Sequence, residues 1–274
     1  MLTEKRVQRH EGSRLPGPRQ LTFEMAKRRQ LEWSRPPGNL VLATGEVQVW
    51  RAALDLEASR VRILRETLTS DERSRADRFR FPDDCRSYVV ARAVLRGILA
   101  RYVEMDPARV PIRHGPLGKP ELGDACGERP LNFNLSHSHH LAVYAVTMER
   151  QVGIDVEHIR PVSAYVKIVE RFFSPLEASA LRAMADDARQ EAFFACWTRK
   201  EAYVKARGVG LSSSLRAFSV SLDPGHGSGL LETTDGQEPS RWSIHSLNVG
   251  QGYAAALAVD TAPCQIRRWE WCED

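Results

Sequence analysis

The sequence predicts an α+β fold built from a duplicated unit, because the chain beyond residue 40 repeats one order of elements. In each half a capped helix start is followed by an amphipathic helix and then by an apolar strand. The helix-start serines Ser70 and Ser174 are 104 positions apart, and the strand residues Val146 and Val259 are 113 apart. This near-constant offset indicates two similar α/β halves, although few residues are identical between them. A ligand site is expected in the cleft between the halves.

The first half contains three predicted elements. The stretch LTSDERSRADRF over 68–79 places a hydroxyl residue ahead of acidic residues, as at a helix start. The stretch ARAVLRGILARY over 91–102 has the three- and four-residue apolar spacing of an amphipathic helix. The short apolar run LAVYAV over 141–146 is typical of a strand that closes this half.

The second half repeats that order after an opening strand. In QVGIDVEHIRP over 151–161 the apolar Val152, Ile154 and Val156 alternate with Gly153, Asp155 and Glu157, which is the period of a strand with one buried face. A second capped start, FFSPLEASALRAM, follows over 172–184. The amphipathic helix EAFFACWTRKEAYVKARG covers 191–208, and the apolar strand YAAALAV covers 253–259.

Composition excludes several classes of protein. The chain has 274 residues, of which 42% are hydrophobic and 27% are charged, as in ordinary globular proteins. No apolar run approaches the roughly 20 residues that span a bilayer, and the N-terminus has no apolar signal segment, so no membrane partner is expected. The cysteines are odd in number, scattered, and never in a C-x-x-C pair, which indicates reduced thiols in the cytoplasm. They are Cys85, Cys126, Cys196, Cys264 and Cys272.

Charge is unevenly distributed along the chain. Residues 1–40 hold nine Lys and Arg against four Asp and Glu, a charge of +5, so the rest of the chain carries −1 of the total +4. The basic leader contains the helix-breaking stretches GSRLPGPR and SRPPGN, which favour a solvated extension over a nucleic-acid-binding arm. We therefore predict an extension over 1–42, an N-terminal α/β half over 43–150, a C-terminal α/β half over 151–263, and a tail over 264–274.

Two carboxylates on the strand QVGIDVEHIRP are candidate metal ligands. Asp155 and Glu157 point to the same side of the strand, and paired carboxylates at this spacing suit Mg²⁺, which prefers carboxylate, water and phosphate oxygens. The alternative is an exposed strand face with ordinary acidic residues, which the D-x-E pattern by itself favours.

Glu201 lies within the apolar stripe of its helix, four residues after Trp197 and three before Val204. A buried carboxylate there needs a positive partner, since an unpaired buried charge costs several kcal/mol, as an order of magnitude. An exposed pair with Lys205 at the i,i+4 spacing would be worth only about 0.2–0.5 kcal/mol and leaves the apolar position of Glu201 unexplained. A cation shared with Asp155 and Glu157 explains it better, so these three carboxylates are expected to converge within metal-binding reach with Lys205 beside them.

Three further groups could meet an anionic ligand. The stretch NFNLSHSHH over 132–140 ends one strand and precedes another, so its polar cluster is expected in the connecting turn. Its histidines could suggest zinc, but a Ser136–His137 pair facing an anion is more economical. The turn GPLGKP holds Lys119 on a short loop, where it suits a phosphate or is simply exposed. Several arginines, among them Arg75, crowd the helical segments of the first half, and some could face the cleft.

Taken together, four motifs resemble those of the Sfp-like 4'-phosphopantetheinyl transferases, in the branch with the pattern W-x-x-K-E-A. The motifs are GKP over 118–120, NLSHS over 134–138, GIDVE over 153–157 and WTRKEAYVKARGVGL over 197–211. They occur in the order and spacing of the family, and the resemblance covers roughly residues 45–260. It implies two similar α/β halves related by a pseudo-twofold axis, with coenzyme A bound in the cleft.

The resemblance also implies an activity: transfer of the phosphopantetheine of coenzyme A to a serine of an apo acyl or peptidyl carrier protein, with release of adenosine 3',5'-bisphosphate. It implies that Asp155, Glu157 and Glu201 hold Mg²⁺, or alternatively Mn²⁺, and that Glu201 is the base for the carrier serine. Lys205 would meet the α-phosphate and stabilise the leaving group. Ser136 and His137 would touch the coenzyme phosphates, and Lys119 and Arg75 the 3'-phosphate and adenosine end. The catalytic set implied is therefore Glu201, Lys205 and His137.

Two other functions fit parts of the sequence. A Mg²⁺-dependent phosphodiesterase or nuclease could use the same carboxylates, with the basic leader on nucleic acid; the neutral body of the chain disfavours it. A non-catalytic module that binds coenzyme A or a carrier protein would not require the acidic triad and Lys205. The expected protein is thus a cytoplasmic monomer that acts on carrier proteins in fatty-acid, polyketide or nonribosomal-peptide synthesis and binds no nucleic acid.

Overall fold

Two sheets share one buried apolar layer, and helices cover the outer face of each sheet. The computed structural model describes residues 32–123, 130–209, 214–222, 229–234, 239–260 and 264–272. Alternate residues of each strand face opposite layers, so Val143 lies in the shared layer whereas Tyr144 faces the helices of the first half. In the second half Leu257 lies in the shared layer, whereas Ala258 faces the helices of that half. Strand alternation thus builds three buried layers from two sheets.

The first half has the order β1, α1, α2, α3, β2, β3, β4, β5. Its bounds are β1 Glu46–Ala53, α1 Ala58–Glu66, α2 Ser70–Ala76, α3 Pro82–Val103, β2 Ile112–His114, β3 Pro120–Leu122, β4 Leu131–Ser138 and β5 Leu141–Met148, with a 3-10 turn at Pro107–Arg109.

The second half has the order β6, α4, α5, α6, β7, β8, β9, β10, and a last strand β11 follows it. The bounds are β6 Val152–His158, α4 Tyr165–Phe172, α5 Pro175–Ala183, α6 Asp186–Arg207, β7 Phe218–Val220, β8 Leu230–Thr233, β9 Trp242–Ser246, β10 Tyr253–Asp260 and β11 Gln265–Glu270, with 3-10 turns at Leu215–Ala217 and Pro239–Arg241.

Sheet topology confirms the predicted duplication. The strand order is β11-β1-β5-β4 in one sheet and β6-β10-β9 in the other, so β1, β5 and β4 occupy the positions of β6, β10 and β9. A short hairpin follows the long helix in each half, β2-β3 after α3 and β7-β8 after α6. Both long helices contain 22 residues. The α+β class and the two similar halves are therefore as predicted.

A capping box marks the same point in both halves. The hydroxyl of Thr69 caps α2 and that of Ser174 caps α5, each with a glutamate three residues on, Glu72 and Glu177. The first cap is one residue earlier than the predicted Ser70. Each glutamate then pairs with the long helix of its half: Glu72 with Arg96 at 2.7 Å, and Glu177 with Lys200 at 2.7 Å.

Both ends of the described chain pack against the two halves. The predicted tail over 264–274 contains β11, which pairs with β1 in parallel and places Trp269 opposite Trp50. Its alternation of polar and aromatic residues carries no apolar run, which is why the sequence indicated only a tail. Within the predicted extension over 1–42, Trp33 donates its Nε1–H to Asn248 O at 2.7 Å, and Leu42 is buried; residues 1–31 lie outside the described ranges. Within those ranges, the structure contains no helix that combines enough length and apolarity for a membrane span.

Candidate active site

Most of the predicted site residues gather where the edge strands β4 and β6 meet the helix α6. A cavity of about 280 Å³ opens there between the two halves. It brings together Lys119, Glu201 and Lys205, which lie far apart in the sequence. The lining residues are Leu117, Gly118, Lys119, Pro120, Asn134, Leu135, Glu201, Val204, Lys205 and Gly208.

Gly153 allows α6 to approach β6 closely enough to form this site. A Cβ atom on Gly153 would lie 2.1 Å from Ala202 O and 2.3 Å from Ala206 N, closer than any side chain can be. The helix therefore rests directly on the strand backbone. Because Glu201 and Lys205 immediately precede the two contacting alanines, the same contact carries their side chains toward Asp155 and Glu157.

Lys205 ties the helix to both edge strands. Its Nζ donates to Asp155 Oδ1 at 2.6 Å and to Ser136 Oγ at 3.0 Å, and Ser136 Oγ in turn donates to Asp155 Oδ1 at 2.8 Å. A third contact from Lys205 Nζ reaches Ile154 O at 3.3 Å. Asp155 is 4% exposed, so the ammonium compensates a buried carboxylate.

Two more carboxylates lie beside this pair. Burial and the charge of Asp155 raise the pKa of both Glu157 and Glu201 above the ordinary value, which indicates mutual repulsion within the site. Glu157 accepts a hydrogen bond from Ser138 Oγ at 2.9 Å. No described residue forms a hydrogen bond or ion pair with the carboxylate of Glu201. The half-buried Glu201 thus faces the cavity beside Val204, and it does not lie inside the apolar core as the helix projection suggested.

Among the described residues Asp155, Glu157 and Glu201 are neighbours at the cleft but do not form a closed set of metal ligands, so their joint binding of a metal stays a prediction. In the described ranges no three His, Cys, Asp or Glu side chains are grouped closely enough to hold a metal. The physical reason is that the carboxylates have different partners: Asp155 turns to Lys205, and Glu157 turns to Ser138.

The donor chemistry nevertheless fits a hard divalent cation. Asp155 Oδ2 is buried and receives no hydrogen bond from any described residue, which is costly for a carboxylate oxygen. The carboxylates of Asp155, Glu157 and Glu201 are close enough to interact electrostatically. All three supply the oxygen ligands that Mg²⁺ prefers.

Lys119 reaches the site from the β2-β3 turn. Gly118, with φ of 82°, makes the tight turn that a residue with a side chain would resist. Lys119 Nζ donates to Val152 O at 3.0 Å and Ala206 O at 3.4 Å, and burial lowers the pKa of its ammonium. The lysine therefore spans the cleft from the first half to the second.

His137 lies on β4, next to the first cavity. The stretch 132–140 ends a strand as expected, but β4 runs to Ser138 and only His139 and His140 of the polar cluster form the turn, with φ of 53° at His139. The turn is shorter than expected because a two-residue hairpin leaves the preceding polar residues in the ladder. His137 is exposed, and the surrounding protein and the charge of Lys205 lower its pKa.

His137 lines a second cavity, of about 340 Å³. Tyr88 of α3 also lines it, and the guanidinium of Arg75 lies 5.6 Å from the Tyr88 ring centre. The structure thus places Arg75 on the exposed face of α2, near the second cavity and apart from the residues that line the first. Several other arginines of this half have acidic partners instead, as Arg96 has Glu72 and Arg86 has Asp83.

Three contributors to the site were missed in the sequence. Asn134 and Ser138, with Ser136, occupy alternate positions of β4 and point to β6: Asn134 Oδ1 accepts from Ile154 N at 2.9 Å. Their alternation in N-L-S-H-S was a visible strand signal. Lys200, adjacent to Glu201, is fully buried and donates to both oxygens of Glu177 at 2.7 and 2.8 Å. It joins α6 to the start of α5, and no pattern in the sequence separates it from an exposed lysine.

The arrangement suits transfer of a phosphoryl-type group. A carboxylate whose pKa is raised can accept a proton from a hydroxyl group near neutral pH. Ammonium groups at the same cleft can stabilise the charge on phosphate oxygens and on a departing anion. The site lies between the two halves, where ligand sites are common.

Comparisons with known proteins identify the family. A profile described as the 4'-phosphopantetheinyl transferase superfamily matches residues 151–258, and one described as the N-terminal part of a 4'-phosphopantetheinyl transferase matches residues 56–149. The chain is 40% identical over 242 residues to 4'-phosphopantetheinyl transferase HetI of Nostoc sp., with 88% of this chain and 99% of that protein covered. It is 30% identical over 195 residues to 4'-phosphopantetheinyl transferase Sfp of Bacillus subtilis, with 70% and 82% covered.

Among solved structures, the holo-[acyl-carrier-protein] synthase of Thermotoga maritima aligns with a TM-score of 0.30 and 22% identity over 41% of this chain. The alignment spans 64% of that chain, which is less than two thirds of its length. From the profiles and the two relatives, the chain belongs to the 4'-phosphopantetheinyl transferase family and is an enzyme of that kind.

Proposed function

We propose that this enzyme transfers the 4'-phosphopantetheine of coenzyme A to a serine hydroxyl of an apo acyl or peptidyl carrier protein, and releases adenosine 3',5'-bisphosphate. One observation carries the proposal most directly: Lys205, Asp155 and the unpaired Glu201 lie together at a cleft between the halves. That arrangement supplies a base and a cation for a pyrophosphate substrate, and family membership names the substrate class.

The reaction forms one bond and breaks one. The carrier serine oxygen attacks the phosphorus atom that bears the pantetheine, and the bond from that phosphorus to the bridging oxygen breaks. Glu201 takes the serine proton, directly or through a water molecule. Lys205 stabilises the negative charge that develops on the departing bisphosphate.

A divalent cation fits the carboxylates of this cleft, and we propose Mg²⁺ with Mn²⁺ as a substitute. Asp155 would bind through its buried Oδ2, with Glu157 and Glu201 as the other ligands. When bound, the cation neutralises charge on the pyrophosphate oxygens. Lys205 remains beside Asp155 Oδ1, so it can meet the same phosphate from the flank.

The remaining predicted residues are proposed contacts to coenzyme A. Lys119 lines the cleft and is proposed to meet the 3'-phosphate and adenosine end, and Arg75, near the second cavity, is proposed to share that charge. His137 faces the second cavity and is proposed to meet a coenzyme phosphate. Ser136 is also a proposed phosphate contact. Its hydroxyl already accepts a hydrogen bond from Lys205 and donates one to Asp155, so it would meet the phosphate as part of this hydrogen-bond network.

We further propose that the enzyme works in the cytoplasm as a monomer on carrier proteins of fatty-acid, polyketide or nonribosomal-peptide synthesis. The described cysteines are all unpaired, which supports a reducing compartment. On α4, Val166 is 61% exposed, and the basic residues Lys167 and Arg171 lie on the same short helix. This combination suits an acidic carrier surface.

The test is direct transfer. The protein is incubated with coenzyme A, Mg²⁺ and an apo carrier protein, and the intact mass of the carrier is measured. We expect the mass of one phosphopantetheinyl group to be added, with adenosine 3',5'-bisphosphate in equal amount. A set of fatty-acid, polyketide and peptide carriers that all keep their apo mass would contradict the proposal. A reaction that proceeds unchanged in excess chelator would contradict the metal assignment alone.

A further inference from the structure

Ser138 occupies an unusual position at the contact between the two sheets. It is the last residue of β4, an edge strand, and it faces the edge strand β6 of the other sheet. Its hydroxyl is used twice: Oγ donates to Glu157 Oε2 at 2.9 Å and accepts from His158 N at 3.1 Å. Both hydrogen-bonding functions of the hydroxyl are therefore directed at the end of β6 that carries the carboxylates.

The position of this hydroxyl is fixed by backbone structure. Ser138 pairs with Leu141 across a two-residue turn, so it belongs to the rigid part of the β4-β5 ladder. Two residues earlier, Ser136 Oγ reaches Asp155 in the same way at 2.8 Å. Polar side chains two residues apart on β4 thus bind side chains two residues apart on β6. These side-chain hydrogen bonds join the two strands where no backbone ladder does.

The Glu157 carboxylate is repelled by the like charges of Asp155 and Glu201, so a hydrogen bond is needed to keep it at the cleft. Asp155 lies two residues away on the same side of β6, and Glu201 is close enough for the Glu157 charge to raise its pKa. A carboxylate with like-charged neighbours would turn outward to water if nothing retained it. The charges of Lys205 and Arg160 attract the carboxylate, and within the described ranges the hydrogen bond from Ser138 fixes where it points.

We propose that Ser138 is a positioning residue for Glu157, and that it sets the affinity of the cleft for a divalent cation. The inference rests on the proposed function, in which Glu157 is a metal ligand. Groups that orient a ligand from behind typically change metal affinity about 10- to 100-fold when removed. Ser138 itself touches neither the cation nor coenzyme A in this assignment.

Metal binding to the full chain is the test, with Mn²⁺ as the probe, followed by electron paramagnetic resonance of free Mn²⁺ or by calorimetry. We expect Ser138→Ala to weaken Mn²⁺ binding about tenfold or more, and Ser138→Thr, which keeps the hydroxyl, to restore it. Ser219→Ala is the matched control: Ser219 Oγ also donates to a carboxylate, Glu232 Oε1 at 2.8 Å, and it lies on the β7-β8 hairpin. It should change the thermal unfolding temperature and leave Mn²⁺ affinity unchanged.

The measured affinities distinguish the positioning role of Ser138 from the metal assignment. Equal Mn²⁺ affinity in wild type and Ser138→Ala would overturn the positioning role and leave the metal assignment standing. An equal loss of affinity in Ser219→Ala would also overturn it, because the effect would then be one of general stability. Absence of Mn²⁺ binding in the wild type would overturn both the inference and the metal assignment, while the carrier-mass assay would still decide transfer.

Discussion

Lys205 Nζ lies 2.6 Å from Asp155 Oδ1, so the helix α6 and the strand β6 are joined by an ion pair at the mouth of the cleft. The lysine is partly exposed and the aspartate is buried. This asymmetry lets one ammonium compensate a buried charge and still face a substrate.

Replacement of Lys205 by Met should abolish most of the transfer activity. The variant removes the cation that faces the leaving group, a change we expect to cost about 10²–10³-fold in kcat. Initial rates of carrier modification measure it. Arg182→Ala, which removes an exposed cation from α5, is the control and should retain the wild-type rate. A Lys205→Met variant with near-normal kcat would show that another group stabilises the leaving anion.

Glu201→Gln should separate activity from stability. The carboxylate lies beside Asp155 and Glu157 without a described partner, so a neutral amide of the same shape relieves repulsion. We expect an equal or higher thermal unfolding temperature, together with a loss of transfer of about 10²–10⁴-fold, as for removal of a general base. Circular dichroism melts and carrier mass measure the two effects. Retained transfer would show that Glu201 is misassigned, and a large fall in Tm would show that its role is structural.

Gly153→Ala should damage the fold itself. The new Cβ would meet Ala202 O and Ala206 N, both backbone atoms that cannot turn away. Overpacking of this kind costs typically about 1–3 kcal/mol, and we expect the upper end or more of that range because the clash is with backbone. Urea unfolding measures the free energy. Gly38→Ala, where a Cβ meets nothing within 4 Å, should be neutral; equal stability of both variants would contradict the close helix–strand contact.

The stability of the protein should depend on the protonation of Glu72. Burial alone would raise the pKa of this carboxyl, but hydrogen bonds from Arg96 and the Thr69 backbone, together with the charges of Arg96 and Arg92, bring it below the ordinary value. A lowered folded-state pKa means that the ionised form stabilises the fold. That contribution is present above the unfolded pKa of about 4.3 and is lost as the pH falls through the lower folded value.

Comparison with Glu72→Gln isolates this group from the other carboxylates. At neutral pH the variant should be less stable than the wild type, because Arg96 and Arg92 lose their charged partner. The difference should shrink as the pH falls below about 4.3. Urea unfolding across that range measures it, and a difference that stays constant down to about pH 3 would contradict the linkage.

Local patterns in the sequence predicted most of the architecture. The alternation in GIDVE gave the strand and the shared direction of Asp155 and Glu157, and the hydroxyl-to-glutamate spacing gave the start of α5 at Ser174. The start of α2 was shifted by one residue, since Thr69 and Ser70 are equally able to cap a helix. These features are local because helix caps and strand periods depend on neighbours within a few residues.

The motifs also predicted which residues would meet at the cleft, but not how they would be paired. Helical spacing predicted only that the Glu201 carboxylate needs a positive partner. That Lys205 prefers Asp155 to Glu201, although Glu201 is at the favourable i,i+4 spacing, depends on the position of β6 beneath the helix. The role of Ser138 likewise depends on two edge strands that are neighbours in space alone.

By itself, therefore, the sequence determined the duplicated α+β order, the family, and the chemical types gathered in the site. Only the tertiary structure decided that β11 completes the first sheet, that Lys205 neutralises Asp155, and that Glu201 is left without a described partner. The reason is physical: periodicity fixes which face of an element a residue occupies, whereas ion pairs and orphaned charges depend on the distance between elements. Here a side-chain-free glycine, Gly153, sets that distance.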